Sequence, residues 1–338
     1  LKLPSIESMG RLVRYVVVGG IVGSACYIFI FFYVYKGNIE NFLRYISLSN
    51  IHFLIISFIL RAIVITVHGT AWYILIRALR KVKITDVLKV TYTAVFTEFI
   101  IPIGGITEVV KIMLLTKLKL ANTDESIATL FAHRIVLSVS IVAMTLASLL
   151  ILNSPIILYI LLLGPSLVLV AMNIGGFVAP SSSRIESLVN RFTSGIGYDI
   201  SGFSSKYYNC IKNLINRPYY IIASLCVEVL ERLANALFGM SIGYMIGIKL
   251  SLFQSLLAFD ALYAIMWLFP VVTPGGLGIF ETIQTTLLHY LGIGLTQAAT
   301  ASIIARIAYI CVGYPLFAVS AFAIGFHVRE LFKSKTSN

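Results

Sequence analysis

Pro274-Gly275-Gly276-Leu277-Gly278-Ile279-Phe280-Glu281 cuts through an apolar segment that runs from about 253 to 291, which also contains Pro270. A second cut, Pro102-Ile103-Gly104-Gly105-Ile106-Thr107-Glu108, divides an apolar segment from about 88 to 118. Proline removes a backbone donor and glycine weakens a helix, so neither segment continues as one helix across its break. Each arm is about 12 to 17 residues, or about 18 to 25 Å of helix, against a hydrocarbon core of about 30 Å. Both segments therefore read as re-entrant helical hairpins. Six further stretches are long enough to cross: roughly 13–35, 51–76, 127–152, 156–178, 219–247 and 297–326. The expected fold is an all-α integral membrane protein with about six full spans and two re-entrant hairpins.

Composition agrees. Of 338 residues, 59% are apolar and 12% charged, about half the charge of a soluble globule. Lys plus Arg exceed Asp plus Glu by 26 to 14, an excess that suits basic cytoplasmic loops and anionic lipid, with no nucleic-acid role. Arg77, Arg80, Lys81, Lys83 and Lys89 follow the second span; Lys117 and Lys119 follow the first hairpin; Lys206, Lys212 and Arg217 precede the fifth span. With these inside, Arg11, Arg14, Arg329, Lys333 and Lys335 also fall inside, and the uncharged connections at 153–155 and 291–296 fall outside. The expectation is a multi-pass protein of the cell membrane with both termini cytoplasmic. The first apolar run is too long for a signal-peptide core and is expected to remain as a span. Cys26, Cys210, Cys226 and Cys311 are widely spaced, without CxxC, and read as packing thiols.

The halves resemble each other. Glu108 is followed 26 positions later by Arg134, and Glu281 is followed 25 positions later by Arg306. Ala132-His133-Arg134-Ile135 compares with Ile304-Ala305-Arg306-Ile307, and Lys83-Ile84-Thr85 with Lys249-Leu250-Ser251. The first hairpin should enter from inside and the second from outside, an inverted-topology repeat that places broken helices near mid-membrane. The halves are then residues 1–178, with four spans and the hairpin at about 88–118, and 219–338, with two spans and the hairpin at about 253–291. Residues 179–218 join them as a cytoplasmic interfacial linker.

Irregular backbone in hydrocarbon needs protein or a watery cavity around it. A half-helix beginning there offers unpaired N–H groups and a positive dipole end, which suit a phosphate. Candidate head-group or gating residues are Pro102, Gly104, Gly105, Glu108, Lys111, Arg134, Glu231, Arg232, Pro274, Gly275, Gly276, Gly278, Glu281 and Arg306. Two roles stay open for the Glu and Arg residues: pairs that pin each hairpin, or arginines that take a lipid phosphate while a Glu exchanges partners. Glu228 and Arg232 lie one turn apart and should pair. Lys111, on the face of Glu108, either neutralises it or attracts a head group. Glu98 and Asp260 read as satisfied side chains, His68 and His133 as packing or hydrogen-bonding groups, and Trp72, Trp267 and most tyrosines as interfacial belts. No HExxH, GxSxG, Walker lysine or clustered His/Cys/carboxylate set occurs, so no catalytic residue, metal or cofactor is expected, nor an ATP-driven pump.

These residues resemble the flippase-like family that includes the transmembrane region of lysylphosphatidylglycerol synthase, the multiple peptide resistance factor. The likeness covers about 11–326. Pro274-Gly275-Gly276-Leu277-Gly278-Ile279-Phe280-Glu281 is similar to the family's Pro-Gly-Gly-x-Gly-x-x-Glu, and Pro102, Glu108, Lys111 and Arg134 to its earlier elements. Thr107 stands where a Gly is usual before the Glu, and His133 where a Glu is usual before the Arg. The resemblance implies movement of an anionic phospholipid, an aminoacylated phospholipid or a polyprenyl-phosphate carrier between leaflets. It does not imply aminoacyl transfer, which in the family belongs to a separate soluble domain, not expected in this chain. Membrane lipids are the expected partners, with a homo-oligomer or a separate lipid-modifying enzyme left open. A membrane transferase or accessory subunit acting on lipid-linked sugars, and a secondary transporter of a small solute, remain alternatives.

Overall fold

The computed structural model of the chain describes residues 21–30, 32–36, 40, 42, 43, 45, 51–97, 105–184, 186, 187, 202–268, 273 and 276–326. Among these, all regular structure is helical. A helical stretch at 21–30 precedes α1 (Ile51–Leu79), α2 (Ile84–Thr97), α3 (Ile106–Lys117) and α4 (Thr123–Ile151). Next come α5 (Ile156–Ser181), which contains a π turn at Tyr159–Leu163, and α6 (Phe203–Ile215). Then follow α7 (Pro218–Met245) and α8, formed by Leu252–Leu256, a π turn at Leu257–Ala261 and Leu262–Leu268. The last two are α9 (Ile279–Tyr290) and α10 (Leu295–Ala323).

Four helices, α1, α4, α5 and α10, are both long and apolar enough to cross a membrane. α7 is as long, with 28 residues, but it carries Glu228, Glu231 and Arg232 near its centre. The expected first span, 13–35, is described only from residue 21 onward.

Burial is arranged as hydrocarbon demands. Ile156, Ile160, Leu167, Met172 and Val178 of α5 are exposed, whereas Arg61, Lys111, His133, Glu228, Arg232, Asp260 and Glu281 are buried. Charge is costly in lipid, so it is gathered where protein can pair it.

Helix ends are set locally. At the start of α4 the Asn122 N–H donates to Glu125 Oε2 at 2.7 Å, and Arg80 Nη1 reaches the same oxygen at 3.1 Å. At the start of α8 the Ser251 N–H donates to Gln254 Oε1 at 3.0 Å, and the Gln254 N–H returns to Ser251 Oγ at 3.2 Å. These side chains satisfy amides that a helix start leaves without partners.

α1 and α7 pack along each other at the centre. Around them the contacts repeat under the exchange α1 for α7, α2 for α8, α3 for α9 and α4 for α10. α1 touches α2 as α7 touches α8, α2 touches α3 as α8 touches α9, and α3 touches α4 as α9 touches α10. The closing contacts are crossed: α10 lies on α2 and α4 lies on α8. Two glycines hold the same place in this scheme. A Cβ on Gly69 of α1 would come within 2.7 Å of Leu88 on α2, and one on Gly239 of α7 within 2.2 Å of Ser255 on α8. Small residues allow this close backbone approach in membrane helices.

The linker contains α6, whose Tyr207, Cys210, Ile211 and Leu214 pack against α1, α4 and α7. The Tyr207 hydroxyl donates to Phe177 O at 2.9 Å. Burial, and then the Asp124 carboxylate 3.4 Å from its sulfur, push the Cys210 thiol up to about 12, as expected of a packing cysteine.

Candidate functional site

Gly105, at the start of α3, has φ 81°, and Gly278, at the start of α9, has φ 82°. An L side chain rarely adopts this left-handed conformation. Three residues later each helix presents a glutamate in its first turn, Glu108 or Glu281, where the positive end of the helix dipole favours a carboxylate. Each glutamate pairs with the arginine of the following long helix: Glu108 Oε1 with Arg134 Nη2, and Glu281 Oε1 with Arg306 Nε. The spacing of 26 and 25 residues thus brings both anticipated pairs together. Glu281 also accepts the Gly278 N–H through Oε2, and Arg306 lies over the Phe280 ring, 5.2 Å from its centroid. Gly276 is buried with φ 72°. Pro102, Gly104, Pro274 and Gly275, together with Glu98, lie outside the described residues.

A second ionic cluster joins the halves at the packed centres of α1, α4 and α7. Arg232 pairs with Asp260 Oδ1 at 2.7 Å, with Glu228 Oε2 at 3.3 Å, and with Glu231 Oε1. The pairing of Glu228 and Arg232 follows from their separation of one turn; the arrival of Asp260 does not. Asp260 sits in the π turn of α8, an insertion that shifts the register of side chains past it. Asn235 Nδ2 donates to Phe259 O at 2.6 Å and lies 3.3 Å from Asp260 Oδ1. Its Oδ1 accepts from Arg61 Nη1 at 3.2 Å. Arg61 is buried, donates to the Tyr263 hydroxyl at 3.3 Å and lies 4.0 Å from the Tyr309 ring centroid.

Three expectations need correction. Lys111 makes no direct ion pair with Glu108, which pairs with Arg134; its Nζ lies 3.4 Å from His68 Nε2 and 5.0 Å from the Trp72 ring centroid. Trp72 is fully buried and therefore belongs to no interfacial belt: it covers the lysine. The clustered set that the linear sequence lacks is made by folding. His133 Nε2 is 2.8 Å from Glu228 Oε1, His68 Nδ1 is 3.2 Å from Glu231 Oε2, and the two imidazoles are 4.8 Å apart between centroids. No signal within any one segment could have found this set, because its members come from three helices.

A family model described as lysylphosphatidylglycerol synthase TM region matches residues 15–316. The chain belongs to that family. The match embraces both Glu–Arg pairs, both Pro-Gly segments and the central ionic cluster, and it supports a membrane protein with a lipid-related function. No curated protein and no solved structure matches the chain.

Proposed function

We propose that this protein moves a lipid with an anionic head group, such as an anionic or aminoacylated phospholipid or a polyprenyl-phosphate-linked lipid, between the leaflets of the cell membrane. The observation that carries the reading is the duplicated unit of a positive-φ glycine, a short helix with glutamate in its first turn, and the arginine of the next long helix.

In this reading the halves form an inverted repeat of six spans with two re-entrant hairpins, both termini being cytoplasmic. Two features support it. α2, α3 and α9 have 14, 12 and 12 residues, or about 18 to 21 Å each, so a chain that enters and turns back uses them more readily than one that crosses. The crossed packing of α10 on α2 and of α4 on α8 is what a twofold relation between the halves requires.

The energetics favour exchange over release. Removing one partner of a buried ion pair costs about 3–5 kcal/mol because the other charge is left unpaired. A head-group phosphate that replaces the carboxylate keeps the arginine compensated and matches its planar fork. The displaced carboxylate remains at a helix N-terminus, where the dipole still favours it. The acyl chains stay in hydrocarbon throughout, so only the polar head needs a protein path.

The test is transfer of fluorescent phosphatidylglycerol between leaflets of reconstituted vesicles. Arg306→Ala and Glu281→Gln are each expected to slow it at least about tenfold, equivalent to about 1.4 kcal/mol on the barrier. Undiminished transfer in both removes the proposed roles. Product formation by the purified chain from a lipid-linked sugar would instead favour the transferase reading.

A further inference from the structure

We infer that His68, His133, Glu228 and Glu231 form a binding site for one divalent transition-metal ion of the zinc class, which ties α1, α4 and α7 together. The donors are other residues than the Glu–Arg pairs, although His133 is next to Arg134 in the chain, and the inference does not depend on the transport reading.

One nitrogen of each of His68 and His133 and one oxygen of Glu228 all lie within 4.8 Å of one another. The individual separations are 2.8 Å from His133 Nε2 to Glu228 Oε1 and 3.9 Å from His68 Nδ1 to the same oxygen. Glu231 Oε2 adds a fourth donor 3.2 Å from His68 Nδ1. Tetrahedral zinc holds nitrogen and oxygen ligands at about 2.0–2.2 Å, which places the ligands about 3.3–3.6 Å from one another. The three His–Glu separations lie within about half an ångström of that spacing, and the two imidazole nitrogens, which set the 4.8 Å span of the group, must close by a little over an ångström as the metal enters. Two imidazoles with two carboxylates suit zinc or a similar borderline ion; calcium and magnesium prefer sites built from oxygen alone.

The surroundings orient the donors. Arg232 holds the outer oxygens, Oε2 of Glu228 and Oε1 of Glu231, and so leaves Glu228 Oε1 and Glu231 Oε2 turned to the imidazoles. Asp260 in turn holds Arg232. Outer partners of this kind fix metal ligands in place. Lys111 sits on Nε2, the opposite nitrogen of His68, which leaves Nδ1 for the metal; because an ammonium only donates, it gives up this contact once Nε2 carries the ring proton. The Lys111 ammonium keeps its place over Trp72.

Charge also favours a cation. Glu228, Glu231 and Asp260 face Arg232 directly and Lys111 through His68, leaving one uncompensated negative charge among these contacting groups when both imidazoles are neutral. Arg61 reaches the cluster only through Asn235. The His68 side chain is 17% exposed, giving an approach from that side.

The test uses full-length protein without a polyhistidine tag, stripped with EDTA in detergent, loaded with zinc chloride and desalted. Metal analysis should find one zinc per chain in the wild type and in His289→Ala, an exposed histidine, and none in the His68→Ala/His133→Ala double variant. Cobalt(II) loaded into the wild type should give the intense visible bands of a tetrahedral site, a readout that needs no variant to fold. Glu228→Gln should weaken zinc retention at least about tenfold. Wild-type protein that retains no zinc, or retains it equally with the double variant, or gives only weak octahedral cobalt bands, overturns the site and leaves a hydrogen-bonded cluster.

Discussion

The pairs Glu108–Arg134 and Glu281–Arg306 share one sequence pattern and differ in how completely the fold closes them. In the second half Glu281 is fully buried, and its two oxygens take the Arg306 guanidinium and the Gly278 amide. In the first half Glu108 and Arg134 are 15% and 16% exposed, and Glu108 Oε2 has no hydrogen-bond partner among the described residues. The same contrast holds for the glycines. A Cβ on Gly278 would lie 2.6 Å from the Gly23 carbonyl oxygen, whereas one on Gly105 would meet, among the described residues, nothing nearer than Glu108 Oε2 at 4.0 Å. The lesson is that a duplicated motif can supply one locked pair and one accessible pair.

The largest test of this contrast is removal of the carboxylate. Glu281→Ala takes the carboxylate from a buried guanidinium and an amide and should lower stability by about 3–5 kcal/mol. Glu108→Ala acts on a pair that is already partly exposed and should cost about 1–2 kcal/mol. Unfolding of the purified variants in mixed micelles measures both, and equal losses would break the distinction.

Next is Gly278→Ala, which combines left-handed strain with a clash against the helical stretch at 21–30 and should cost about 2–4 kcal/mol. Gly105→Ala carries the strain alone and should cost about 1–2 kcal/mol by the same measurement. A Gly105→Ala loss as large as that of Gly278→Ala would mean that the first break is packed as tightly as the second.

The smallest expected difference lies at the helix starts. Glu125→Ala and Gln254→Ala each remove a capping interaction, at about 1 kcal/mol. Only the Glu125 loss should shrink as salt is raised, since Arg80 pairs with that carboxylate and screening weakens an exposed pair. Equal salt dependence would remove the electrostatic part of the argument.

Much of the architecture was legible because hydrocarbon imposes simple rules. Long apolar runs gave α1, α4, α5 and α10, and the Glu-to-Arg spacing gave both ion pairs. What stayed hidden arose from tertiary proximity. His133 and Glu228 are separated by 95 positions, so neither carries a local sign of the other. Trp72 resembles a belt residue, an aromatic near the end of an apolar run, until the lysine beneath it is seen. Asp260 gave no hint of Arg232 because the π turn that carries it there leaves no mark in hydropathy.

The crossed packing of α10 on α2 and of α4 on α8 has a mechanical corollary. Each half contributes the clasp that restrains the other's broken segment, so neither is self-sufficient. A polypeptide severed in the polar stretch between them should still migrate as a single body on a native gel, and any displacement of α10 or α4 must carry the short helix packed on it.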